Sequence, residues 1–221
     1  MDHVEVQDEL PDNLKQRIGN RFRDRRFSFF EAFLKQLDEP ISVLDVGGTQ
    51  QYWVQRGVLS RLNISVTLVN LKHVPVSHER VTSVVADATD LRQYADGQFD
   101  VVFSNSVIEH VGSRQMQRLL ATEIQRVGRY HYVQTPSRYF PIEPHFLLPY
   151  FQFYPRVLAH WILTKTPLSR GRRWGEREAS AYIEEIDLLS KRFLATCFPD
   201  SHIMKESVLG VAKSYTAHNL G

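Results

Sequence analysis

The sequence predicts an α/β fold: a mostly parallel sheet with helices on both faces and a C-terminal antiparallel strand pair. Three observations predict it. Short, continuous apolar runs such as ISVLDV, SVTLVNL and FDVVFSN alternate with helical segments, as in a parallel sheet covered on both sides. A glycine pair, Gly47 and Gly48, follows the carboxyl end of the first run, where open α/β sheets bind their ligands. Two strand-like runs, SHIMKES and GVAKSYTAH, close the chain, separated by a few residues that include Gly210, as an antiparallel pair would be.

In order, residues 12–38 read as a helix, with Phe22, Phe27, Phe30 and Leu34 near one face and arginines around them. Pro40 stops it. ISVLDV is a buried strand and QQYWVQRGVLSRL a helix. SVTLVNL, RVTSVVADA and FDVVFSNS are strands, VIEHVGSRQMQRLLATEIQRV is helical, and RYHYVQTP is the fifth strand. After Pro136 the pattern breaks. Residues 137–175 hold five prolines and many aromatics without a simple period, and read as an insertion over the sheet edge. A helix, ASAYIEEIDLLSKRFLATCF, precedes the final strand pair.

The 221 residues are expected to form one domain, 1–221, with one sizeable core. Hydrophobic content of 43%, charged content of 24% and a net charge of +2 are those of a soluble globular chain and give no sign of nucleic-acid binding. The single cysteine, Cys197, excludes an intrachain disulfide, fits a reducing, cytoplasmic location, and reads as a buried thiol beside Leu194 and Phe198. MDHVEVQDELPDN is acidic and lacks the apolar core of a secretory signal. No run approaches the roughly 18 apolar residues of a membrane span. His110 with Glu109, His131, and His145 with Glu143 lack metal-ligand spacing, so no metal is expected, and neither a G-x-S-x-G elbow nor a Walker loop is present.

Read together, the strand ends resemble the class I S-adenosylmethionine-dependent methyltransferases, specifically the type 11 group, over roughly residues 40–145. VLDVGG resembles the first motif VLDxGxGxG, VVADATDL resembles GDAxxL, FDVVFSNSVIEHV has the DxVxSxxVxEHV form, and YVQTPSRYFPIEPH resembles the fifth strand with its exit loop. The resemblance implies a Rossmann-like class I methyltransferase sheet and S-adenosylmethionine as cofactor. It implies that Gly47 and Gly48 let the loop pass under the methionine part, while Asp45 organises that loop or receives the ammonium through water. Thr49 and Gln51 stand where the family has further glycines. Tyr52 and Trp53 are expected to pack the helix start or, failing that, to flank the cofactor. Asn70 replaces the acid that holds both ribose hydroxyls, so fewer bonds to ribose are expected. By the same resemblance Asp87 and Ala88 would hold the adenine, Asp87 or Asp90 serving otherwise as a cap, and Ser104 and Asn105 would lie under the sulfonium and methyl group.

Methyl transfer to oxygen also requires loss of the acceptor's proton, for which His145 is the first candidate base and His110 the second. Glu109 and His110 are read as chiefly structural. The expected activity is methylation of a small-molecule acceptor, most simply O-methylation of a sugar, lipid, quinone or secondary metabolite. Residues 137–175 would form the acceptor-binding cap. Its aromatics (Phe146, Tyr150, Phe151, Phe153, Tyr154, Trp161) and basic residues (Arg156, Lys165, Arg170, Arg172, Arg173) suggest peripheral membrane or lipid contact through 146–173, or packing of the rings with a solvated basic face. Two other readings compete. A nicotinamide-dependent dehydrogenase needs G-x-G-x-x-G and an acid about 20 residues on, which GGTQQY and Asn70 do not supply. A catalytically weak scaffold or activator of a partner enzyme would tolerate the missing glycines.

Overall fold

The computed structural model describes residues 14–220, and of residues 14–22 only the backbone. Residues 12 and 13 of the expected first helix, and the side chain of Phe22, lie outside that description. The helix itself is α1, Leu14–Leu34, a unit with Met1–Asp38; everything from Glu39 to Gly221 forms a second unit.

The second unit is built on a seven-stranded sheet: β1 (Ile41–Val46), β2 (Ile64–Asn70), β3 (Val81–Val85), β4 (Phe99–Asn105), β5 (Gly128–Pro136), β6 (His202–Val208) and β7 (Val211–His218). Their order is β3-β2-β1-β4-β5-β7-β6. The first five are parallel, and β7 pairs antiparallel with both β5 and β6. This is the predicted Rossmann-like sheet with its C-terminal antiparallel pair. The apolar runs are buried because both faces are covered: Val43, Leu44, Val101 and Val102 are all solvent-free.

The helices differ in detail from the sequence reading. The segment after β1 is two helices, α2 (Gln50–Arg56) and α3 (Val58–Arg61), because Gly57 adopts φ +64° and closes α2 with its own N–H. The segment after β4 is a 3-10 turn, Ile108–His110, then α4 (Arg114–Val127), parted by Gly112 at φ +82° and capped by Ser113. The chain between β2 and β3 and between β3 and β4 carries no helix. Side chains hold those connections instead: Gln50 binds Ser77 and the His78 amide, and Arg126 bonds the Leu91 and Tyr94 carbonyls. The final helical stretch is likewise two pieces, α6 (Glu176–Glu185) and α7 (Lys191–Cys197), with Ser190 capping the second.

On one face of the sheet, α4 and α7 bury Leu120, Ile124, Leu194 and Phe198 against Leu44, Val46 and Val102. The other face carries an aromatic layer in which Trp53 and Tyr132 pack on Phe103, the latter pair stacked at 5.7 Å. Cys197 is buried, and desolvation pushes its thiol up, as a structural cysteine requires.

Residues 137–175 contain a 3-10 turn (Phe151–Phe153) and α5 (Arg156–Lys165), and pack with α6. Phe146, Phe151, Leu163 and Trp174 form a small core of their own.

Candidate functional site

Strand register brings the predicted residues to one sheet edge. Val46 is level with Val69 and Ser104, Asn70 with Val85, and Asn105 with Gln134. The exits of β1, β2, β3 and β4 therefore share the carboxyl edge, as the order β3-β2-β1-β4 demands.

The glycine pair is fixed by two close approaches. Gly47 has φ +75°, and a Cβ there would overlap Val107 at the exit of β4. Gly48 lies over the Asp45 carboxylate, and a Cβ would overlap it. The space denied to a side chain at Gly47 is thus filled by Val107. Asp45 is buried and accepts a 2.7 Å bond from the Trp53 indole N–H. Burial lifts its carboxyl to about 7, while the indole N–H pulls the other way. Of the two roles expected for Asp45, the geometry favours organising the loop. Trp53 is fully buried, as expected of a packing residue.

Asn70 donates from its amide to the Gly48 carbonyl at 3.1 Å. It ties the end of β2 to the glycine loop, a function an acid could not perform. Thr49 precedes α2 without capping it through its hydroxyl. Asp87 Oδ1 accepts from the amide and hydroxyl of Thr89, which is a local turn, and Ala88 lies within that turn. Ser104 is solvent-free and its Oγ has no partner among the described residues. Asn105 ends β4, and Ser106, at φ +59°, is pinned to Gln134 through amide and hydroxyl.

These features fit S-adenosylmethionine: a side-chain-free loop at the end of β1, the amide of Asn70 beside it, and the unpartnered Ser104 hydroxyl at β4.

A second cluster lies at the same edge, after β4 and β5. His145 Nδ1 is 2.6 Å from Glu143 Oε1, and the other Glu143 oxygen accepts the Phe146 amide at 2.7 Å. His110 Nδ1 is 2.9 Å from Glu185 Oε1. The two rings meet edge to face, Nε2 to Nε2, at 3.1 Å. Glu109 is fully buried and accepts the Thr135 hydroxyl through Oε2 at 2.8 Å, while Oε1 has no partner among the described residues. Burial lifts this carboxyl above the usual glutamate range, against the opposing charge of His110.

Folding therefore joins His110 and His145, the two candidate bases, across 35 residues. Sequence reasoning did not identify Glu143 and Glu185 as the groups that orient them. The third histidine, His131, stays apart, bonded to Ser201 and pushed down to about 4 by burial and by His218.

Between residues 138–159 and residues 182–188 lies a cleft of about 330 Å³, lined by Arg138, Glu143, Gln152, Tyr154, Arg156 and Asp187 among others. Gln152 Oε1 is buried there without a partner among the described residues. The cap's basic residues are mostly engaged. Arg172 pairs with Glu178 at 2.6 Å and stacks on Trp174, and Arg170 donates to the His145 carbonyl. Val157, Leu158, Trp161 and Leu168 point to solvent. Among the described residues no helix is long and apolar enough to cross a membrane.

Comparison with known proteins agrees with the strand-end reading. Residues 44–130 match the family model described as a methyltransferase domain. No curated protein matches the chain. Among solved structures, a SAM-dependent methyltransferase from Methanosarcina mazei is similar at 15% identity and TM-score 0.51, over 82% of this chain and 92% of that one. A Rhodobacter sphaeroides protein described as a candidate Zn-dependent alcohol dehydrogenase is similar at 12% identity and TM-score 0.53, over 85% and 87% of the two chains. At such identity these likenesses show the fold alone.

Proposed function

We propose that this chain, whose residues 44–130 match a methyltransferase-domain model, is a class I S-adenosylmethionine-dependent methyltransferase that methylates an oxygen of a small-molecule acceptor held by residues 137–175. The observation that carries the choice of oxygen is the imidazole pair, each ring oriented by its own carboxylate at the carboxyl edge of the sheet. Carbon or nitrogen acceptors have less need of so elaborate a proton-handling group.

The cofactor supplies a methyl group on an electrophilic sulfonium. The chain's residues do the rest. The Gly47–Gly48 loop, set by Asp45 and Trp53, fixes the donor end. Glu143 holds the His145 ring with Nδ1 protonated, which leaves Nε2 as the acceptor of a hydroxyl proton. The cap excludes water and positions the acceptor, so that reaction proceeds from an oriented pair. Arg138, Arg156 and Gln152 give the cleft polar ends suited to an acceptor with hydroxyl or anionic groups.

Of sugar, lipid, quinone and secondary metabolite, the outward row Val157, Leu158, Trp161 and Leu168 favours a lipid-like acceptor met at a membrane surface from the cytoplasmic side. The experiment is incubation of cell extract with the protein and methyl-labelled S-adenosylmethionine, followed by mass spectrometry. Label in a low-mass or lipid acceptor, lost in His145→Ala, supports the reading. Label on protein or nucleic acid alone contradicts it.

A further inference from the structure

The His110–His145 contact poses a problem of charge. Each Nδ1 faces a glutamate oxygen, at 2.9 Å and 2.6 Å. Ionised carboxylates only accept, so each ring carries its proton at Nδ1. Both Glu143 oxygens accept from donors, which fits the ionised form. The two Nε2 atoms then face each other at 3.1 Å as two lone pairs. Something positive must lie between or beside them.

The one cation bonded to this segment among the described residues, Arg170, is engaged by the backbone carbonyls of His145 and Pro144 and not by a ring or a carboxylate. Glu109, Glu143 and Glu185 ring the pair, and among the described residues none of the three forms an ion pair with lysine or arginine. The Oε1 of buried Glu109, without a partner among the described residues, is a third ligand atom at the same place. One ligand atom each from Glu109, His110 and His145 lie within 4.8 Å of one another.

We propose that Glu109, His110 and His145 form a divalent-metal site of the zinc type, with Glu143 and Glu185 as outer partners. Two nitrogens on a tetrahedral zinc ion stand about 3.3 Å apart, given Zn–N bonds of about 2.0–2.1 Å, close to the separation found here. Metal-bound histidines regularly donate their other N–H to a carboxylate, and both rings do so. Imidazole with carboxylate suits Zn²⁺ or a neighbouring transition ion better than Mg²⁺ or Ca²⁺, which prefer oxygen alone. Two histidines and one glutamate leave the fourth position open, as catalytic rather than structural zinc sites do.

The site deepens the O-methylation reading and rests on it only for what fills that position. With the ion present the His145 lone pair is engaged. The ion would then replace His145 as the group that activates the acceptor: a coordinated hydroxyl would lose its proton to water beside the half-exposed Glu185, and the electron pair left on oxygen would form the O–CH3 bond as the S–CH3 bond breaks with its pair returning to sulfur.

The test is titration of the full chain, stripped by chelation, with Zn²⁺ against a chromophoric competitor, and with Co²⁺ followed by its ligand-field absorption. Expected is one ion per chain, with affinity falling more than a hundredfold in His110→Ala, His145→Ala and Glu109→Gln. Glu143→Gln, which removes an outer partner, should cost 10–100-fold. Circular dichroism must show each variant folded. His131→Gln, outside the cluster, should bind as the wild type does. No stoichiometric ion in the folded wild type, or equal affinity in Glu109→Gln and Glu143→Gln, overturns the site and leaves a proton shared by the two rings. Cofactor binding is measured in parallel by calorimetry. Loss of that binding with ion uptake intact counts against the methyltransferase reading and not against the metal.

Discussion

Asp45 should make this protein less stable as pH rises through neutrality, an uncommon direction for a carboxylate. The group is buried, its largest perturbation is desolvation, and its carboxyl sits at about 7 in the fold against an ordinary value of 3.8. The folded state therefore holds a proton that the unfolded chain has already released. Stability from this group is fully present below about pH 4 and is lost as pH rises through about 7, by about 4 kcal/mol at most. Asp45→Asn removes the titration while keeping an acceptor for the Trp53 N–H. Urea unfolding of both proteins between pH 4.5 and 8, read as a difference, isolates the group from other carboxylates. The variant should gain on the wild type steadily across that range and hold its lead above it. Trp53→Phe deletes the bond to the ionised form, so it should cost about 1.5–3 kcal/mol at pH 8 and less at pH 5. Parallel pH profiles for wild type and Asp45→Asn would refute the reasoning, because the carboxyl would then be ionised or solvated in both states.

Other outcomes follow from the same geometry. Asn70→Asp replaces the amide donor to Gly48 with a second acceptor, so it should weaken S-adenosylmethionine binding by about 1 kcal/mol, near fivefold by calorimetry. His131, held near 4 by burial, gives stability that is present above its ordinary value of 6.5 and is lost as pH falls through about 4, so His131→Gln should flatten the acid limb of the unfolding curve. Trp161→Asp should abolish flotation with anionic liposomes while leaving the melting temperature unchanged, since the ring is exposed. Arg172→Glu, by contrast, should lower stability, because it sets like charge against Glu178 and removes the stack on Trp174.

Much of this molecule is legible in its residues. Apolar runs such as VVF and SVV mark the buried strands, and the runs at the strand ends that resemble the methyltransferase motifs occur in order along the chain. What the sequence conceals is mostly long-range. A helical pattern continues through Gly57 and Gly112, and only the left-handed backbone at those glycines shows the break. The two helix-free crossovers are held by Gln50 and Arg126, whose partners lie 28 and 35 residues away. Asn70 reads as a weakened acid; its tie to Gly48 appears only once β1 and β2 are paired. His110 and His145 are unremarkable in spacing, and their joint chemistry arises because the exits of β4 and β5 are adjacent. In residues 137–175 the composition does not tell inward rings from outward ones: Phe146, Phe151 and Trp174 pack inward, while Val157, Leu158 and Trp161 of α5 are exposed.

The claim on which the rest depends is that S-adenosylmethionine lies on the loop that leaves β1. Gly48→Ala tests it most directly, because the added methyl group must displace the Asp45 carboxylate and with it the course of the loop. Titration calorimetry of the wild type should show one molecule of S-adenosylmethionine bound per chain. Gly48→Ala, still folded by near-ultraviolet circular dichroism, should lose that binding by at least a factor of about ten, the loss of roughly one charge-assisted contact. A wild type without saturable binding, or a folded Gly48→Ala that binds as well as the wild type, would contradict the account.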